Sequence, residues 1–233
     1  NVSGQILSGG RATLTVNETD NALGLLRANA LDVTGQNWSN VGGTVEAQQI
    51  GMRLSGNLLN QVSVSGAVQI ASIHTMATGS GTTDPALNLT IAGVFDNTGS
   101  VTQSGANSVV NVGSFVNSGG LLQQAGSGNL ALTVKEALNN DAGKILSVGG
   151  LQLTANTASN VAGQWSSGAA LGAQITGALN SQRGLISSDG AFTISAASID
   201  NTAGQIRGRG DGMSALTSDT DFINTSGTLA ANG

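Results

Sequence analysis

The sequence predicts an all-β fold, a right-handed parallel β-helix of about eleven coils of roughly 20 residues. Three observations predict it. An Asn-x-x-Gly signature returns about every 20 residues along nearly the whole chain. Each unit carries three short apolar pieces with period-2 alternation rather than a helical period. And Gly and Ser punctuate the pieces at turn spacing.

The repeat is clearest in LNNDAGKILSVGGLQLTA (138–155) and IDNTAGQIRGRGDG (199–212). FVNSGGLLQQAGSGNLALTV (115–134) and ALNSQRGLISSDGAFTISA (178–196) share the pattern. Its Asn recurs at Asn21, Asn40, Asn60, Asn97, Asn117, Asn140, Asn160, Asn201 and Asn224, with Ser181 in the same place in one unit. The Gly three residues later recurs at Gly24, Gly43, Gly120, Gly143, Gly163, Gly184, Gly204 and Gly227, and Gly4 opens the series. Ser63 and Ser100 interrupt it.

Each element of a unit has a reason. In 138–155, Leu138 opens the unit. Lys144-Ile145-Leu146-Ser147 follows the Gly, and Leu151-Gln152-Leu153 alternates. Three short strands and three turns make one winding of a solenoid. A single winding cannot bury its own apolar face, whereas stacked windings form a continuous core. At the corner, Gly is expected to supply a positive φ, and Asn to tolerate the left-handed region. Equivalent residues then stack at the strand spacing of about 4.8 Å, and the nine Asn side chains are expected to hydrogen-bond up the stack as a ladder. Eleven coils at that spacing give a rod on the order of 50 Å long.

Composition agrees with a packed solenoid and excludes several function classes. Of 233 residues, 39% are hydrophobic and the formal net charge is only −5, which separates the chain from disordered, highly charged segments. The eight basic residues are scattered, so no nucleic-acid partner is expected. Cysteine is absent, which removes disulfides and thiolate chemistry. No apolar run is long enough for a membrane-spanning helix. Asn1-Val2-Ser3-Gly4 already reads as part of a repeat, so a piece of a longer rod is expected, organised as one repeat domain over 1–233.

Three irregularities are candidate sites. The step from Asn60 to Asn97 is 37 residues and contains His74, Pro85 and a Gly/Ser/Thr run. It reads as one coil with a loop excursion at 74–86, or as two coils of which one is degenerate. A tolerated insertion without a role and a receptor-binding loop are both open. Two 23-residue steps, 117–140 and 201–224, mark shorter insertions. The second holds Arg209-Gly210-Asp211, the tripeptide that adhesive proteins offer to integrins. It reads either as a partner-binding turn or as a Gly-rich turn with solvated charges. Trp38 and Trp165 replace smaller apolar residues, as core packing or as a sugar-stacking platform.

Enzyme chemistry finds little support. Glycoside cleavage needs two carboxylates about 5–10 Å apart, and Asp189 with Asp211, which follow the second strand of adjacent coils, is the only plausible pair. Asp96 and Asp200 share a phase several coils apart. His74 is the only histidine, so no His-based metal site forms, and no calcium nonapeptide repeat or phosphate loop occurs. The chain is read as a non-enzyme, with no cofactor and no metal.

The units FVNSGGLL, LNNDAGKILSVGGLQLTA, LNSQRGLISSDGAFTISAASIDNTAGQI and INTSGTLAANG resemble the repeats of filamentous haemagglutinins. Those are exoproteins of bacterial two-partner secretion, among them adhesins and effectors of contact-dependent growth inhibition. The resemblance covers about 90% of the chain and implies a β-helical shaft. It also implies export through a dedicated outer-membrane two-partner-secretion transporter as partner, a secreted, bacterial cell-surface location, and contact with a receptor on a target or host cell.

Overall fold

The structure, a computed structural model, describes residues 1–63, 68–76 and 85–232. Among them there is no helix, and every strand-to-strand pairing is parallel apart from an isolated antiparallel bridge between Ser63 and Gln69. The strands form a β-solenoid with three faces. The first face is an 11-stranded sheet running from Gln5–Leu7 to Thr228–Ala231, so the strands bound ten turns of the coil. The second and third faces form one 16-stranded sheet. In several early coils a single strand crosses both of these faces, as in Arg11–Asp20, Ala30–Ser39, Leu87–Asp96 and Ser108–Val116. From Leu130–Val134 onward each coil divides the path in two, as in Leu151–Ala155 followed by Thr157–Ser159.

Alternation decides what is buried. In Lys144–Ser147, Ile145 and Ser147 point inward while Lys144 and Leu146 point out. Because the pairing advances by one coil at a time, each inward position becomes a column. Val45, Ile73, Val101, Leu122, Ile145, Trp165, Ile186 and Ile206 follow one another along the first face, all buried. Trp38, Leu58, Phe95, Phe115, Leu138, Ala158, Leu179 and Ile199 do so along the third. Phe95 and Phe115 stack with ring centroids 5.0 Å apart, a spacing favourable for tilted aromatic pairs. Both tryptophans belong to these columns, at 1% and 0% exposure, which removes the sugar-stacking reading.

The corner differs from expectation in one respect. Positive φ falls not on the repeated Gly but on the residue before it: Leu23 (56°), Ala142 (54°), Ala162 (52°), Arg183 (55°), Ala203 (55°) and Ser226 (55°), with Gly itself only at Gly42 and Gly119. The repeated Gly has a steric role instead. A Cβ on Gly143 would run into the carbonyl oxygen of Asn117 on the preceding coil and lie 2.8 Å from Asn140 Oδ1. The same collision, with the preceding coil's Asn carbonyl, recurs at Gly24, Gly43, Gly120, Gly163, Gly184 and Gly227, and with Ser181 at Gly204. Close stacking at the corner, not handedness of the backbone, demands glycine there. Ser100 is no true interruption: Gly99 lies two residues after Asn97, and the corner is one residue shorter.

The long step between Asn60 and Asn97 is a single coil. The side chains of these two residues are directly bonded, Asn60 Nδ2 donating to Asn97 Oδ1 at 2.7 Å. Its extra residues are split. Ser72–Met76 is a strand of the first face whose Ser72 pairs with Thr44. Thr44 follows its corner Asn40 by four positions, and Ser72 follows Asn60 by twelve, so one insertion precedes this strand. The next strand begins at Leu87, paired with Ile50, and the second insertion lies between. His74–Met76 therefore belong to a face rather than to the expected excursion at 74–86. Residues 77–84 of that excursion lie outside the described residues.

Candidate functional site

The most regular polar feature is the corner column. All nine predicted asparagines stand in it, and Asn21, Asn40, Asn60, Asn97, Asn117, Asn140, Asn160 and Asn201 are at most 1% exposed. From Asn21 to Asn160 each Nδ2 donates to the Oδ1 of the next Asn at 2.6–2.8 Å. Most also donate to the carbonyl of their own corner Gly, as Asn140 does to Gly143 at 3.1 Å. Each further reaches the carbonyl of a first-face residue on the next coil, Gln164 in this case. One amide thus satisfies groups on two coils in a dry corner, where unpaired polar atoms are costly. Asn1 is a tenth member, donating to Asn21 Oδ1 at 2.7 Å; it stands 20 residues before Asn21, and that spacing was legible. Asn201 donates to Asn224 at 2.6 Å. At Ser181 the pattern fails: Asn160 Nδ2 reaches Ser181 Oγ only at 3.4 Å, and Asn201 Oδ1 has no partner.

Two further polar columns carry no signature in the repeat. One is an inward row at the turn leaving the first face. Ser147, Ser167 and Ser188 are buried and donate to turn carbonyls at 2.8–2.9 Å, as in Ser147 to Gly150 and Ser188 to Gly190. The other is the position just before the ladder Asn, where Asp20, Asn139, Asn180 and Asp200 each accept the amide two residues on, an Asx turn. Asp200 also accepts from Gln182 at 2.6 Å. Hydrogen bonds from Thr202 and Gln182 hold its carboxyl below the usual carboxylate value.

Arg209, Gly210 and Asp211 lie on the turn leaving the first face in a late coil. That turn has two residues more than its predecessor, since Gly208 pairs with Ser188 while Ala215 pairs with Thr193. Arg209 and Asp211 are exposed, and Met213 beside them is 88% exposed. The Arg209 amide donates to Ser188 O at 3.0 Å, and its carbonyl accepts from Asn232. Arg209 Nη1 is 3.1 Å from Asp189 Oδ1. The register thus sets Arg209, not Asp211, beside Asp189. That corrects the carboxylate pairing expected of Asp189 and Asp211, because the pairing here advances 20 residues, as in Ser188 with Gly208, and Asp211 lies two positions further along the turn. Arg209 and Asp189 end a shallow groove of about 530 Å³ across the first face, lined by Gln123, Gln164, Ser166 and Ser187 with Leu146 and Leu185 between.

Other candidates do not converge. Asp96 and Asp200 share an outward column but are five coils apart, roughly 24 Å at the strand spacing. His74 stands in the outward column of the first face between Glu46 and Thr102, and Glu46 is paired with Arg27 at 2.6 Å. Among the described residues no group of three or more His, Cys, Asp or Glu could hold a metal ion. Comparison with family models, with curated proteins and with solved structures finds no match for this chain.

Proposed function

We propose that this chain is a shaft segment of a secreted, cell-surface filamentous exoprotein, an adhesin or a toxin carrier exported by two-partner secretion. The observation that supports it is the continuity of the stack: the parallel faces and the inward columns advance one residue per coil along the described chain, and the corner amides do so from Asn21 to Asn160. The function of such an element is geometric. Each coil adds about 4.8 Å of length and presents flat columns of side chains, and the repeat resemblance supplies the exoprotein context. Export through an outer-membrane transporter would require an unfolded chain, which a Cys-free sequence accommodates.

A coil deletion tests this reading. Removing 141–160 joins Asn140 to Val161-Ala162-Gly163 and restores a complete corner. The full-length exoprotein carrying that deletion is expected to fold, reach the surface and mediate cell contact as before. Loss of contact with display retained would refute a purely geometric role.

One observation favours a second reading, a receptor-binding segment. Arg209 and Asp211 sit exposed on a lengthened turn. Integrin-type recognition there predicts that Asp211→Glu, which displaces the carboxylate by one methylene, abolishes attachment of integrin-bearing cells. Unchanged attachment would end that reading.

A further inference from the structure

The solenoid is not equally strong at every plane. In a stack where each coil touches only its neighbours, stability is a sum of nearest-neighbour terms, and local opening is governed by the weakest plane. Backbone bonds cross the two planes compared below alike. Between the coils of Ser181 and Asn201 they run from Ser181 N to Asp200 O, Arg183 N to Thr202 O, Gln205 N to Gly184 O and Arg209 N to Ser188 O. The same four positions bridge the coils of Asn140 and Asn160, from Asn140 N, Ala142 N, Gln164 N and Gly168 N.

What differs is the ladder, since the Arg209–Asp189 pair that also crosses the later plane is solvent-exposed and contributes little. Asn140 Nδ2 donates to Asn160 Oδ1 at 2.8 Å. Residue 181 is a serine, fully buried, with no side-chain nitrogen to offer, and Asn201 Oδ1 is left as a buried acceptor without a partner. An orphaned buried acceptor forfeits its water bonds and gains nothing in return.

We propose that the plane between Ser181 and Asn201 is a built-in parting plane, at which the stack opens before it does at planes with an intact ladder. The device is independent of whether the filament is an adhesin or a toxin carrier. It makes the coil that carries the Arg209 turn part first from the coil before it under heat, denaturant or tension.

Amide hydrogen exchange on the chain tests it. Arg183, Gln205 and Arg209 are expected to exchange at least about tenfold faster than Ala142, Gln164 and Gly168, the worth of one buried unmet acceptor. Ser181→Asn, which supplies the missing donor, is expected to slow the first set by about tenfold and leave the second unchanged. Asn140→Ser transplants the defect by orphaning Asn160 Oδ1, and is expected to speed exchange at Ala142, Gln164 and Gly168 by a similar factor. Equal exchange at the two planes, or no response of Gln205 and Arg209 to Ser181→Asn, would overturn the proposal. So would an Asn140→Ser variant that exchanges as the parent does.

Discussion

At the corner, two neighbouring residues of near-identical size carry opposite burdens. Ala142 holds a left-handed backbone at φ 54°, a conformation that costs a non-glycine residue roughly 1–2 kcal/mol. Gly143 sits against the Asn117 carbonyl with no room for a methyl. Ala142→Gly is therefore expected to stabilise the fold by about 0.5–1 kcal/mol once its greater unfolded-state freedom is subtracted. Gly143→Ala is expected to destabilise it by about 1–3 kcal/mol, as overpacking does. Urea titration of the two variants decides the matter, and equal effects would refute the division of labour. The buried amide two residues before Ala142 carries the ladder. Asn140→Ala strands Asn160 Oδ1 and leaves Asn117 Nδ2 only its carbonyl partners on Gly120 and Lys144, for an expected loss of about 1–3 kcal/mol. Asp200 contributes through protonation. Its carboxyl is held low in the folded state, so its contribution is present above the ordinary carboxylate value of 3.8 and fades as pH falls through the lowered one. Asp200→Asn should flatten the acid side of a stability-against-pH curve by lowering stability in the neutral region, and leave stability below the lowered value nearly unchanged.

At the level of strands, size variation within a column is tolerated because neighbours compensate. Trp165 fills the place that Ile145 and Ile186 occupy on the coils before and after it. Its full burial means that Trp165→Ala opens a cavity, with an expected cost of about 3–5 kcal/mol in thermal or chemical denaturation. A cost below 1 kcal/mol would indicate a column that collapses around the gap. The serine row at the turn leaving the first face serves a complementary purpose. Ser147, Ser167 and Ser188 occupy inward positions where an apolar residue would leave turn carbonyls unmet. The lengthened turn after Gly208 extends the path without shifting the register of the next face, whereas Leu87–Asp96 carries one residue more than its partner Ser108–Val116 within the strand itself.

For the molecule as a whole, the coil is the unit of change. A deletion that removes one whole coil keeps every column in phase, whereas removal of half a coil turns inward residues outward. Excising 141–160 is therefore expected to leave the strand signature in circular dichroism unaltered, and excising 141–150 to abolish cooperative unfolding. Similar behaviour of the two variants would show that register is not what holds the stack.

Periodicity carried most of the architecture. Recurrence of Asn about every 20 residues set the coil length, alternation named the inward residues, and equal phase brought nine asparagines into one column before any coordinate was known. These are local properties: an apolar residue at every second position must face a core, and identical residues one coil apart must stack. Three things were decided only by the tertiary structure. The corner Gly answers to the Asn carbonyl of the preceding coil, a contact between residues some 20 positions apart that no local propensity encodes. The 37-residue step proved to be one coil with two insertions, because Asn60 bonds Asn97 across it. And Asp189 met Arg209 rather than Asp211, since register is set by strand pairing and not by counting along a turn. Sequence alone thus determined the repeat and what it buries, while the stacking of one coil on the next decided which side chains meet.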